Sequence, residues 1–162
     1  MRLGKNIAGH VQYLSSTACD LTSFVGHQDM RDEHYIITLC DELLGREAVR
    51  QHHFSFLLGD SGRMLPVDAF YPDLKLVIEY RERQHSEPVA FFDRKATVSG
   101  VARGLQRALY DQRRRDILRQ NGIALVELCY SEFSHTKGKR LLRNREEDLS
   151  VLRMKLQTYI AK

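Results

Sequence analysis

LPVDAFYPDLKLVIEYRERQH, residues 65–85, holds two short apolar runs, LPVDAF and LKLVIEY, joined at Tyr71-Pro72-Asp73. Val, Phe, Tyr, Leu and Ile suit a pleated, half-buried surface, while Pro and Asp are turn formers. The stretch therefore reads as a β-hairpin with a tight connection. If Tyr71 to Leu74 make the turn, Phe70 lies opposite Lys75, Asp68 opposite Val77 and Pro66 opposite Glu79. Side chains alternate along a strand, so Asp68 and Glu79 share one face as diagonal neighbours, about 7–8 Å apart at the backbone. Two carboxylates so placed can hold one hard cation, with water and a substrate oxygen completing its shell. Arg81 falls on the same face one step further on.

Outward from the hairpin the chain alternates between helix and strand patterns. Residues 30–44 carry an apolar stripe (Ile36, Ile37, Leu39, Cys40, Leu43, Leu44), with Asp32 and Glu33 favouring the first turn and Gly45 as a stop. Residues 49–58 read as a strand, and Gly59-Asp60-Ser61-Gly62 as a turn into the hairpin. Residues 82–88 are too polar to continue a buried strand, and 89–104 read as a loop or lid. Residues 105–120 are a helix stopped by Asn121-Gly122, followed by the almost wholly apolar strand 123–130. A basic loop at 131–140 precedes a last helix over 146–160.

That order predicts an α/β fold. Three antiparallel strands and a crossover strand form a small mixed sheet flanked by helices. The first 28 residues show no clean period and read as an N-terminal extension, partly ordered and packed on the core, with an arm on DNA or a contact in a homodimer as the functional alternatives. Residues 29–162 then form a single domain.

Composition narrows the classes. Of 162 residues, 43% are hydrophobic and 28% charged, which suits a globular domain able to bury its own core. Cys19, Cys40 and Cys129 are far apart and odd in number, with no CxxC pair, so neither a zinc site nor a disulfide framework is supported. No apolar run approaches the ~18 residues that span a bilayer. A cytoplasmic protein with no membrane partner is expected. The net charge of +4 is compatible with a polyanion. Arg103 at the end of the 89–104 loop, Arg107, Arg114 and Arg115 on the second helix, and Lys137 and Lys139 in the basic loop are the candidate phosphate contacts.

Beyond the acid pair the chain continues Ile78-Glu79-Tyr80, Gln84-His85, Pro88, then Tyr110-Asp111-Gln112-Arg113-Arg114-Arg115-Asp116, then Gly122-Ile123-Ala124-Leu125-Val126-Glu127-Leu128-Cys129-Tyr130. In order and spacing this resembles the PD-(D/E)xK nucleases, the restriction-endonuclease-like superfamily. The closer likeness is to the branch of very-short-patch-repair and related homing endonucleases. The resemblance runs from about Glu33 to Phe133 and implies a three-layer sandwich. It also implies a DNA endonuclease that hydrolyses phosphodiester bonds with Mg²⁺ or Mn²⁺.

Carried onto this chain, the resemblance makes Asp68 and Glu79 the metal-binding acids. Gln84 takes the polar position that replaces the superfamily lysine, His85 is its neighbour, and Glu33 matches an acid some members place on the first helix. The chain departs from the pattern at Arg81-Glu82, where the branch has Asp-Gly. A guanidinium stays charged and cannot accept a proton as lysine can, but it can neutralise phosphate. The departure leaves a second reading open, a nuclease-like DNA-binding module without catalysis.

Overall fold

The computed structural model describes residues 31–82 and 103–160. Helix α1 (Asp32–Leu44) is followed by strands β1 (Val49–Leu58), β2 (Met64–Tyr71) and β3 (Leu76–Arg81). Helix α2 (Arg103–Gln120), strand β4 (Ala124–Cys129) and helix α3 (Arg145–Ile160) complete it. The sheet order is β1-β2-β3-β4, antiparallel across the first two pairs and parallel between β3 and β4. This is the mixed α/β arrangement expected from the residue pattern. No helix among the described residues is long and apolar enough to cross a membrane.

The hairpin register differs from the expected one. Pairing is Tyr71 with Leu76, Phe70 with Val77 and Ala69 with Ile78. Four residues, not two, make the connection. Pro72–Leu74 form one turn of 3-10 helix, and Lys75 closes it in the left-handed region (φ 46°), its N–H bonding to the Pro72 carbonyl at 3.0 Å. A shift of two residues keeps every side chain on its face, whereas a shift of one would have reversed them all.

Alternation along β3 divides the molecule into two cores. Leu76, Ile78 and Tyr80 pack with Ile36, Ile37, Leu39 and Cys40 of α1 and Leu152 and Leu156 of α3. Val77 faces the other way, into a smaller cluster with Leu57, Leu118 of α2 and the partly buried Leu125. Helices thus cover both faces, α1 and α3 on one, α2 on the other.

Asp41 anchors α1 to the sheet. Its carboxylate accepts from the Tyr71 hydroxyl at 2.7 Å, Arg50 at 2.6 Å and the Ala48 N–H at 3.1 Å. Gly45, at φ 61°, ends the helix. The Gly45 and Arg46 N–H groups turn back to the Glu42 and Asp41 carbonyls, a Schellman closure that a Cβ residue would strain.

Candidate functional site

Continuing the observed register by one pair sets Asp68 directly across from Glu79, closer than the diagonal relation first expected. The backbone ladder does not extend that far. Asp68 Oδ2 instead accepts the Tyr80 N–H at 2.9 Å, a side chain taking the role of a strand carbonyl. Here α2 reaches in, and Arg114 donates to the Pro66 carbonyl through Nη2 at 3.3 Å and Nε at 3.4 Å.

The surrounding pocket has a volume of about 430 Å³. It is lined by five acids (Glu33, Asp68, Glu79, Glu82, Asp111), by Arg31, Arg81 and Arg114, and by Tyr80. Asp111 on α2 is 8% exposed and holds two of those arginines, Arg81 at 3.3 Å and Arg114 at 3.2 Å. Arg81 also donates to Glu127 of β4 at 2.5 Å, and Arg115 reaches the other Glu127 oxygen at 3.0 Å. Glu127 sits beside Glu79 in the parallel register. The guanidinium of Arg81 therefore balances an acid one strand over from the pair.

Gln51 brings the remaining acid in. Its Nε2 lies 3.0 Å from Glu33 Oε1 and 3.5 Å from Asp68 Oδ1. Its φ of 49° inside a β-strand is uncommon for a residue with a Cβ, the kind of local strain that the surrounding structure must hold in place.

Proton affinities reflect the crowding. Burial pushes Glu79 up to about 8; the charges of Asp68 and Asp111 push the same way, against Arg114 and Arg81. Arg114 Nε lies 3.3 Å from Glu79 Oε1, yet desolvation outweighs the guanidinium. Burial and then Glu33 raise Asp68 to about 6, while the Tyr80 N–H, Arg114 and Gln51 oppose them.

One oxygen stands out. Glu79 Oε1 is buried and has no hydrogen-bond partner among the described residues, since Arg114 is close but not aligned to donate. Two carboxylates lining one pocket, one of them with an oxygen that accepts no hydrogen bond from the described residues, are a hard donor set that suits a divalent cation. Asp68 and Glu79 fit that group. Among the described residues no cluster of three or more acid, His or Cys side chains could complete the shell.

The other expected residues divide as follows. Gln84 and His85 lie outside the described residues. Arg103 opens α2 and Arg107 is half-buried on it. Arg114, expected to face DNA, points inward at Glu79, Asp111 and Pro66, and Arg115 is engaged by Glu127. Lys137 is exposed, whereas Lys139 bonds the Tyr130 hydroxyl at 3.1 Å. Sequence reasoning did not place Asp111, Gln51 or Arg31 at the site.

No family model matches this chain, and no solved structure matches it. The uncharacterized protein 094L of Frog virus 3 (isolate Goorha) is 31% identical over 106 residues, which cover 65% of this chain and 62% of the viral protein. The chain thus matches less than two thirds of that relative's length.

Proposed function

We propose that this protein is a divalent-cation-dependent DNA endonuclease on a restriction-endonuclease-like three-layer sandwich. The reading rests on one observation above the others. Two carboxylates on paired strands face one pocket, burial raises the proton affinity of each, and Glu79 Oε1 has no hydrogen-bond partner among the described residues. A bound cation relieves all three. Asp68 and Glu79 would hold Mg²⁺ or Mn²⁺, which in such sites polarises a phosphoryl oxygen and makes bound water acidic.

The chain's own groups supply the rest. The Tyr80 N–H fixes Asp68 Oδ2 and so sets the direction of Oδ1. Arg31 lines the pocket and can take a non-bridging phosphate oxygen, and Arg81 keeps the developing negative charge balanced. Gln84 and His85, which follow β3, would orient the attacking water, His85 being able to exchange its proton near neutral pH. Arg103, Arg107, Arg115, Lys137 and Lys139 would hold the flanking backbone without reading sequence.

Nicking of supercoiled plasmid with Mg²⁺ or Mn²⁺, beside Glu79→Gln and a chelator control, tests this reading. Metal-dependent nicking that disappears in the variant is expected. A second reading is favoured by the ion pairs of Arg81 with Asp111 and of Arg114 with Asp111 and Glu79, all of which line the pocket. If those cations serve in place of a metal, the protein is a nuclease-like module that binds DNA without cutting it. Salt-dependent DNA binding with no cleavage by either metal would select it.

A further inference from the structure

Arg114 is the best-held cation in the pocket and the least explained. It projects from the middle of α2, with 17% of its side chain exposed. Nη1 sits 3.2 Å from Asp111 Oδ1, Nη2 is 3.3 Å from the Pro66 carbonyl, and Nε is 3.3 Å from Glu79 Oε1. The first two contacts are hydrogen bonds and the third is not. Arg114 is therefore anchored by Asp111 and Pro66 and only leans on Glu79. A guanidinium built to satisfy Glu79 would point an N–H along the oxygen lone pair. This one balances the charge without consuming the donor.

We propose that Arg114 is an internal counter-cation, which stands in for the divalent ion at Glu79 and gives way when that ion arrives. The inference rests on the cation site proposed above. Its logic is exclusion between like charges. A divalent ion on Glu79 Oε1 and a guanidinium 3.3 Å from the same oxygen repel each other, and with both side chains largely buried the repulsion is poorly screened. The anchors at Asp111 and at Pro66, whose carbonyl accepts from both Nη2 and Nε, do not depend on Glu79, so moving the guanidinium away from the acid breaks no hydrogen bond to Glu79. Arg114 thus lowers the affinity of the pair for cations and holds the acids together in their absence. Once moved off Glu79 it becomes a donor to phosphate, so cation and DNA favour each other's binding, as linkage requires.

Calorimetric titration of Mn²⁺ into wild type, Arg114→Gln, Arg114→Lys and Asp68→Asn tests the exclusion without any cleavage assay. Arg114→Gln is expected to bind Mn²⁺ about tenfold tighter or more, while Arg114→Lys stays near wild type, a range typical of coupled sites. Because Arg114→Gln removes a buried charge and can unfold, the wild-type protein supplies a second reading. Mg²⁺ titration should shift the Arg114 Nε–H resonance in parallel with occupancy. If Mn²⁺ binds wild type and is lost in Asp68→Asn, yet Arg114→Gln is no tighter and the resonance does not move, the counter-cation is wrong and the cation site stands. If neither wild type nor Arg114→Gln binds Mn²⁺ or Mg²⁺, both are wrong.

Discussion

The two faces of strand β3 are built from the same six residues and do opposite things. Toward α1 and α3 the strand offers Leu76, Ile78 and Tyr80, which join the large apolar cluster. Toward α2 it offers Val77, Glu79 and Arg81, and only Val77 is apolar. The second face buries carboxylates and guanidiniums that cost desolvation energy, and their mutual attraction offsets only part of it. The first face supplies stability that lets the second carry charge. A parallel neighbour sharpens the contrast, since β4 places Glu127 level with Glu79, where an ordinary buried strand would place a valine.

The largest expected effect separates chemistry from stability. On the proposed function, Glu79→Gln should lower metal-dependent nicking by at least about a hundredfold, since the proposed metal would lose an anionic ligand worth several kcal/mol in charge stabilisation. The same variant should leave the fold intact in the absence of metal. On the opposite face Ile78→Ala should cost about 2–5 kcal/mol in urea unfolding, because Ile78 is fully buried between sheet and α1. Equal destabilisation by both substitutions would erase the distinction between the faces.

A smaller effect gives the contrast a pH signature. Glu79 ionises near 4.5 in an ordinary environment and near 8 in the fold. Between those values the folded protein keeps a proton that the unfolded chain has released. Metal-free stability therefore falls as pH rises through that window and levels off above it. Glu79→Gln removes the Glu79 share of this dependence and leaves the smaller one of Asp68, so at pH 8 the variant should be more stable than wild type by about 2–4 kcal/mol, with the gap closing toward pH 4. At the proposed site Mg²⁺ would compete with the proton, so its stabilisation of wild type should grow from pH 5.5 to pH 8. Melting curves across that range, with and without Mg²⁺, measure both. A gap that does not change with pH would mean Glu79 is already ionised.

Much of the fold was legible because it rests on local signals. The apolar stripe of α1, the Asn121-Gly122 stop and the apolar run of β4 all act over a few residues, and the described elements begin and end close to where those signals put them. The acid pair was legible through parity, which survives an even slip. The register itself was not, since nothing in Pro72-Asp73-Leu74-Lys75 announces a left-handed lysine. Asp111 was hidden for another reason. Within Asp111-Gln112-Arg113-Arg114-Arg115-Asp116 it looks like a surface acid pairing along its own helix. Only the placement of α2 across the sheet turns it to 8% exposure with one arginine from β3 and one from α2.

The smallest prediction compares two left-handed residues, Lys75 in the hairpin loop and Gln51 beside the acids, at φ 46° and 49°. Both hold a conformation that costs roughly 1 kcal/mol more for a residue with a Cβ than for glycine. At Lys75 the strain serves only the turn, so Lys75→Gly should raise stability by about 0.5–1 kcal/mol and leave Mn²⁺ affinity unchanged. At Gln51 the same relief comes with the loss of the amide that lies between Glu33 and Asp68. Gln51→Gly should therefore gain little or no stability, because the two acids then face each other without a donor between them. Its Mn²⁺ affinity should change by a few-fold, since Asp68 is no longer tied to Glu33 and its orientation loosens. Matched gains in stability with no change in Mn²⁺ affinity would show that Gln51 is strained for the sake of the strand alone. A difference between the two glycine variants would instead tie the strain to the pocket, the one place on β1 where a side chain reaches both acids.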